Sequence, residues 1–482
     1  MTRAELSAAA RAERTGARVA LWSSLALALA VGLLLGRYSR PIPAAGYAPI
    51  EPEQALWYGI DFLTYPEVRL LQQYVRIDTS HPDPDEVAGA EFLAAQLAAA
   101  GVPATIERFR DRRANLWAFV EGEDPRALVL LGHLDVEPAR AQRGWRFPPF
   151  AARVHGPWIY GRGMYDMKSL TIAQLLATID AARAGRKPRR SLLFLQTSSE
   201  EAGGATGTRW LLAEHPELLA RMDTALTEGG VVEATSPSDL KYWGIEFAQR
   251  KLARITYCAP ERAPLVELAR WLRRYGRDDP RPKIDPGVAQ FLASYGQSRT
   301  RSLYQRLVAD LEQMPLRRDR FERLSPFLKS LFRNQAEPLD VVRDPEGGWR
   351  LDVWLHLLPG EDLAAVSARL LPAWATAGLG STPLELVGEG LASPLDHPDY
   401  LAIEAAVRER FPGVPVGPFF LVQALTEAQL LRSAGIRAYG FSPFPLVVAD
   451  TTQIALPNER MQLPAYRTGV ELYRETVRRL VF

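Results

Sequence analysis

The sequence has almost no cysteine: one, Cys258, in 482 residues. An internal disulfide framework is therefore excluded, and cysteine usage does not mark the redox compartment. Histidine is scarce too, six in all, which limits any histidine-rich metal site. Neither sign of charge dominates, with 58 Lys and Arg against 56 Asp and Glu, a net of +2. The excess sits in residues 1–40, where six Arg face two Glu for +4, leaving −2 on the rest. That distribution excludes a general nucleic-acid footprint. No fixed-period repeat or low-complexity tract occurs. What remains is ordinary globular composition, 47% hydrophobic and 24% charged, in a chain long enough for two or more domains.

One long apolar run is present. From Val19 to Gly36 there is no charge, and as a helix the run would span roughly 27 Å, near the ~30 Å hydrocarbon thickness. Arg3, Arg11, Arg14 and Arg18 precede it, and Arg37 and Arg40 follow. The expectation is a transmembrane helix at 19–36 behind a cytoplasmic basic arm at 1–18, with the bulk of the chain outside the cytoplasm, periplasmic or extracellular. A signal peptide cleaved near Ala44–Gly46 is the alternative. Residues 37–60, with Pro41, Pro43, Pro49 and Pro52, read as a linker.

Beyond the linker, Phe62–Ile77, Val87–Ala100 and Ser169–Ala184 show helical spacing of apolar residues, while Asn115–Val120, Ala127–Leu131 and Ser191–Thr197 are short apolar runs. Strands alternating with helices predict an α/β domain with a largely parallel sheet. Near Lys241 the character changes. Gly244–Tyr257 and Trp349–Leu357 read as strands around a long Arg-rich, helix-like stretch, Leu265–Asn334, with Glu361–Ala377 as another helix. An inserted α+β domain at 241–380 is expected, dividing the α/β domain into 61–240 and 381–482. Tyr400–Arg410, Glu427–Ala434 and Tyr466–Val481 would return to the α/β layer as helices.

Four motifs carry chemistry. In Gly-His133-Leu-Asp135 a buried strand delivers a His and an Asp to its C-terminal end, where open α/β sheets place their sites. One ring nitrogen of His133 is then available for a metal while Asp135 takes the other. In Gly-Arg-Gly163-Met-Tyr-Asp166-Met-Lys168 a glycine turn presents Asp166 just before a helix, as a ligand between two cations or as a cap. In Thr-Ser-Ser-Glu200-Glu201 two adjacent carboxylates repel; a cation would relieve that cost and leave one free as a base. Glu228 precedes Gly229 and Gly230 at another strand end.

In order and spacing these motifs resemble the aminoacylase/carboxypeptidase S group of zinc metallopeptidases, metallopeptidase family 20. Gly144-Trp-Arg-Phe-Pro-Pro-Phe150 and Tyr439-Gly-Phe-Ser-Pro443 add to the likeness, which covers about residues 60–482 and is nearest to carboxypeptidase S and N-acyl-amino-acid hydrolases. The resemblance implies a catalytic α/β domain interrupted by a lid and dimerisation domain, two zinc ions, and a peptide or N-acyl-amino-acid substrate. His133 and Glu228 would bind the first zinc, Asp166 would bridge both, and Glu201 would bind the second. Asp135 would orient His133, and Glu200 would act as general base. A homodimer through the lid, using Lys241–Tyr257, is also implied.

The sequence departs from the family at several points. Ala455, in Ile454-Ala455-Leu456-Pro457-Asn458-Glu459-Arg460, stands where the last zinc-ligating His is expected, and no His follows His397. Ala424-Leu425-Thr426-Glu427 replaces Gly-Gly-Thr-Asp. Trp354 and His356 replace the lid's Asn and Arg, and the segment around Cys258 lacks the lid His. One zinc would bind well and the second poorly. Two functions follow as expectations: a membrane-anchored amide hydrolase, or a catalytically lapsed relative that binds a ligand or partner.

Overall fold

The computed structural model describes residues 60–81, 84–139, 142–236, 239–281, 284–297, 310, 317–422 and 426–482. The basic arm, the 19–36 segment, the linker up to residue 59, and Ala424 and Leu425 lie outside the described residues. Among the described residues no helix is long and apolar enough to cross a membrane.

The chain divides into two units, one built around Gln249–Leu391 and the other from the chain on either side of it. The larger unit contains a nine-stranded sheet. Its path runs Ala104–Arg108, Ala114–Val120, Arg190–Thr197, Asp124–His133, Met222–Thr227, Arg437–Gly440, Asp239–Gln249, Val416–Leu421, with Val231–Ser236 paired to Asp239–Gln249. The four central strands run parallel. The flanks are antiparallel where strands are joined by short turns, as Ala104–Arg108 is to Ala114–Val120 and Val231–Ser236 to Asp239–Gln249. Such connections are too short for the crossover that parallel pairing requires, so the expected largely parallel sheet is a mixed one. Its parallel centre is the part buried on both faces, which explains the continuous apolar runs Leu128–Leu131 and Leu192–Leu195, all buried.

Helices cover this sheet. Pro66–Val75 begins with Pro at its first position and buries Val68, Leu71, Tyr74 and Val75 at helical spacing. Glu86–Ala98 is capped by the Asp85 carboxylate, which accepts from Ala88 N–H at 3.2 Å. Leu463–Val481 packs against Ser169–Ala182.

The strand Asp239–Gln249 corrects the boundary expected at Lys241. From Leu240 to Ala248 it is buried throughout and belongs to the larger unit. Its Glu246 pairs with Arg432 of the helix Ala428–Ser433 at 2.8 Å, both side chains buried. The single strand expected over Gly244–Tyr257 is two, since Lys251–Ala259 belongs to a separate six-stranded sheet. There Trp349–Leu357 alternates, burying Leu351, Val353, Leu355 and Leu357 against Leu265, Leu268 and Leu272 of the helix Arg262–Tyr275. Each such leucine stabilises the unit by about 1.5–3 kcal/mol. The Arg-rich stretch is not one helix: Arg262–Tyr275 ends at Gly276, and Pro286–Gln297 follows. Fully buried Arg250 donates to the carbonyls of Ser330, Arg333 and His356 at 2.7 Å each.

Candidate metal centre

Parallel register brings the site together. His133 ends its strand directly beside Thr197. The segments leaving Thr197 and Thr227 on the adjacent parallel strands carry Glu200 with Glu201, and Glu228. Three motifs separated by tens of residues thus emerge at one carboxyl edge.

His133 is buried. Its Nδ1 lies 2.9 Å from the main-chain oxygen of Asp135. A carbonyl only accepts, so Nδ1 carries a proton and Nε2 faces the site. Nε2 is 3.1 Å from Asp166 Oδ1 and 3.7 Å from Glu228 Oε2. Asp135 therefore orients His133 mainly through its carbonyl, with its carboxylate 3.5 Å from the ring nitrogen. The carboxylate is engaged elsewhere. Its Oδ1 accepts from Glu200 N–H at 3.0 Å, and its Oδ2 accepts from Glu201 N–H at 3.0 Å and from His81 Nε2 at 2.7 Å.

Asp166 arrives through a turn that requires glycine. Gly163 has φ +77°, and a Cβ there would meet Val136 Cγ1 at 2.5 Å. Asp166 does not cap the following helix, which starts at Ser169 without a side-chain cap. The turn is held from behind. Tyr165 N–H donates to Glu459 at 3.0 Å, Glu459 pairs with buried Arg162 at 2.6 Å, and Arg162 donates to the Ala455 carbonyl at 3.0 Å. Gln142 donates to the same carbonyl at 3.1 Å. Ala455, at φ +58°, is thus tied to the turn that presents Asp166, but its methyl group offers no donor.

Electrostatics at the site show a shortage of positive charge. Burial, then the charge of Glu228, pushes Glu200 well above the usual carboxylate range. Burial, then Asp166, raises both Glu201 and Glu228. Burial opposes charge on His133, yet its bonds to Asp135, Asp166 and Glu228 raise it well above the ordinary imidazole value. Burial alone would raise Asp135; the bonds from His133 and His81 hold it well below the usual range. Glu201 Oε1 is buried without a partner. Ligand atoms of His133, Asp166 and Glu201 lie within 4.8 Å of one another, as do those of His133, Glu200 and Glu228. One imidazole nitrogen among carboxylate oxygens, with an unsatisfied buried oxygen, is a donor set that fits a divalent cation.

Two acids and a histidine near this centre were not singled out as site residues by the sequence. His81 bonds Asp135. Glu86, fully buried and pushed up to about 7 by burial and then by Asp135, accepts Ser199 N–H at 3.2 Å and Ala114 N–H at 3.0 Å. Glu427, noted only as a departure, is buried, accepts from Thr197 Oγ1 at 2.7 Å, and leaves Oε1 unpaired. Their contacts cross the chain over long separations, so no local spacing signals them. Trp354, His356 and Cys258 belong to the other unit. There His356 faces Glu337 at 3.2 Å, Arg254 lies over Trp354, and burial raises the Cys258 thiol. His397 caps the helix Pro398–Arg410, its Nδ1 accepting Asp399 N–H at 3.2 Å.

The family model of peptidase family M20/M25/M40 matches residues 129–479. The chain belongs to this family. A succinyl-diaminopimelate desuccinylase of Dinoroseobacter shibae is 36% identical over 158 residues. That match covers 33% of this chain and 40% of the relative, so the chain spans less than half the length of the curated relative it matches. Among solved structures, the M20 metallo-carboxypeptidase Sso-CP2 of Sulfolobus solfataricus is similar with TM-score 0.65 at 15% identity, over 86% of this chain and 99% of that one. Human carnosine dipeptidase 1 is similar with TM-score 0.59 at 15% identity, over 86% and 96%. These likenesses establish the M20 fold. The finer expectation of a carboxypeptidase S type gives way to the family as a whole, since this curated relative is a desuccinylase.

Proposed function

We propose that this M20 chain is a metal-dependent hydrolase of an amide bond in a peptide or N-acyl amino acid. The observation that carries the reading is the convergence of Asp166, Glu200, Glu201 and Glu228 on the single Nε2 of His133. His133, Asp166 and Glu228 would hold one zinc ion. Asp166 and Glu201 alone would hold a second weakly, because Ala455 adds no ligand. A bound divalent cation polarises the amide carbonyl and acidifies water. Glu200 supplies the proton transfer: its carboxylate lies within 4.8 Å of the ligand atoms of His133 and Glu228, and left off the cation it takes a proton from water and returns it to the leaving amine. Asp135 fixes Glu200 and Glu201 through their N–H groups.

The test is hydrolysis by the zinc-loaded full chain across dipeptides and N-acyl amino acids, N-succinyl compounds included. Turnover should stop on chelation and fall about 10²–10⁴-fold in Glu200→Gln. The second reading, a lapsed relative that binds a ligand or partner, is favoured by the donorless Ala455 and by Trp354 and His356 in the smaller unit. It stands if the panel gives no turnover while the chain still binds zinc. The 19–36 segment is proposed to anchor the chain with its catalytic domain outside the cytoplasm; resistance of the chain to alkaline extraction from membranes tests this. A homodimer through the smaller unit is also proposed, with light scattering of the purified chain as its test.

A further inference from the structure

We infer that His81 is a positioning residue of the metal centre, clamping the Asp135 carboxylate from which the Glu200–Glu201 turn hangs. The inference rests on the hydrolase reading above and adds a residue to it.

The main chain places His81 first. Val136 N–H donates to Thr79 O at 3.2 Å and His81 N–H donates to Val136 O at 3.3 Å, with Ser80 bridged to Val136 in parallel. This short ladder runs one residue beyond Asp135, so the imidazole of His81 is brought alongside that carboxylate. Nε2 donates to Oδ2 at 2.7 Å, the carboxylate being able only to accept. Asp135 is fully buried while His81 keeps an exposed edge.

The load on Asp135 is the second observation. Ser199 sits in the left-handed region at φ +59°, and the N–H groups of Ser199, Glu200 and Glu201 all end on buried acids. Ser199 donates to Glu86, and Glu200 and Glu201 donate to the two oxygens of Asp135. The proposed base and the proposed second metal ligand are therefore both positioned by the rotation of one carboxylate. That terminal torsion is intrinsically soft. His133 stands 3.5 Å from Oδ1 and restrains it weakly on that side. His81 supplies the short bond on Oδ2 and holds both oxygens facing the turn. Without it, a buried carboxylate keeps its charge but loses its closest counter-group, and the Glu200–Glu201 turn is free to drift from His133.

His81→Ala and His81→Gln test this in the full chain, since Gln presents an N–H donor near the place of Nε2. Zinc affinity is measured by calorimetry, kcat and KM on a compound the wild type hydrolyses, and folding by thermal melting. His81→Ala should lose about 10–100-fold in zinc affinity and in kcat, as groups behind metal ligands do, with KM nearly unchanged. His81→Gln should recover most of both. An Ala variant within twofold of wild type in affinity and kcat overturns the inference, as does a Gln variant no better than Ala. If His81→Ala melts before it can be assayed, His81→Leu takes its place and is made in wild type and in Asp135→Asn: its loss of zinc affinity should vanish in the Asp135→Asn background, and an equal loss in both backgrounds overturns the inference. If no chain turns over any compound, the hydrolase reading fails while the zinc arm still reports on His81. A wild type that binds no zinc overturns both.

Discussion

In the proposed hydrolase, the side chain at position 455 would set how many cations the site holds. Ala455 is fixed through its carbonyl by Arg162 and Gln142 to the turn presenting Asp166, which makes it the position at which to restore an imidazole. Ala455→His should raise tightly bound zinc from about one per chain to about two, read by elemental analysis after dialysis. An unchanged stoichiometry would show that position 455 does not face the cation. Away from the site, Asp399 takes both guanidinium arms of Arg190 at 2.9 Å. Burial would raise the Asp399 carboxyl, and Arg190 outweighs it, so the folded value lies below the ordinary one. The linkage sign follows: the pair stabilises the fold in full above the unfolded carboxyl pKa of about 3.9 and less as pH falls through the folded value. Wild type should exceed Asp399→Asn by about 1.5–3 kcal/mol at pH 7 in denaturant unfolding, and the gap should close toward pH 3. The residues that the sequence marked, His133, Asp135, Asp166, Glu200, Glu201 and Glu228, are those at strand ends or next to glycines, where a local pattern exists. His81 and Glu86 escaped because their meaning depends on partners 54 and 113 residues away.

At the scale of elements, turn geometry carries the chemistry. Gly163→Ala would place a methyl group in contact with Val136 at φ +77°, costing at least ~2 kcal/mol in strain and overlap. Asp166 follows three residues later, so this variant should lose zinc affinity as well as lowering Tm. A Gly163→Ala chain with wild-type zinc affinity would show that Asp166 is placed by Glu459 and Tyr165 alone. Strand and helix positions were legible where burial is one-sided or complete: Trp349–Leu357 has the expected ends, and Arg190–Thr197 and Ser169–Ala182 lie within two residues of theirs. The break at Arg250 was not legible, because Gly244–Tyr257 keeps a strand-like pattern across the point where the chain leaves one sheet for another.

For the whole molecule, metal should act as a stability ligand of the larger unit. The acids around His133 repel one another without a cation, and anything that binds only the folded form stabilises it by about 2.7 kcal/mol at a hundredfold excess over Kd. Chelation should therefore lower the first melting transition by several degrees, zinc should restore it, and Asp166→Asn should make the melt insensitive to both. A melt that ignores chelator in the wild type would count against a cation at this centre. The sequence by itself determined the family and the α/β character, and it marked the acids that gather around His133, because those rest on residue types at fixed spacing along strand ends. It also determined that histidine would be the limiting resource. Only the tertiary structure decided how two of the six histidines are used: His133 faces the acids through Nε2, and His81 holds the carboxylate beneath them. Parallel register and long-range hydrogen bonds make that arrangement, and neither is written in any local stretch of chain.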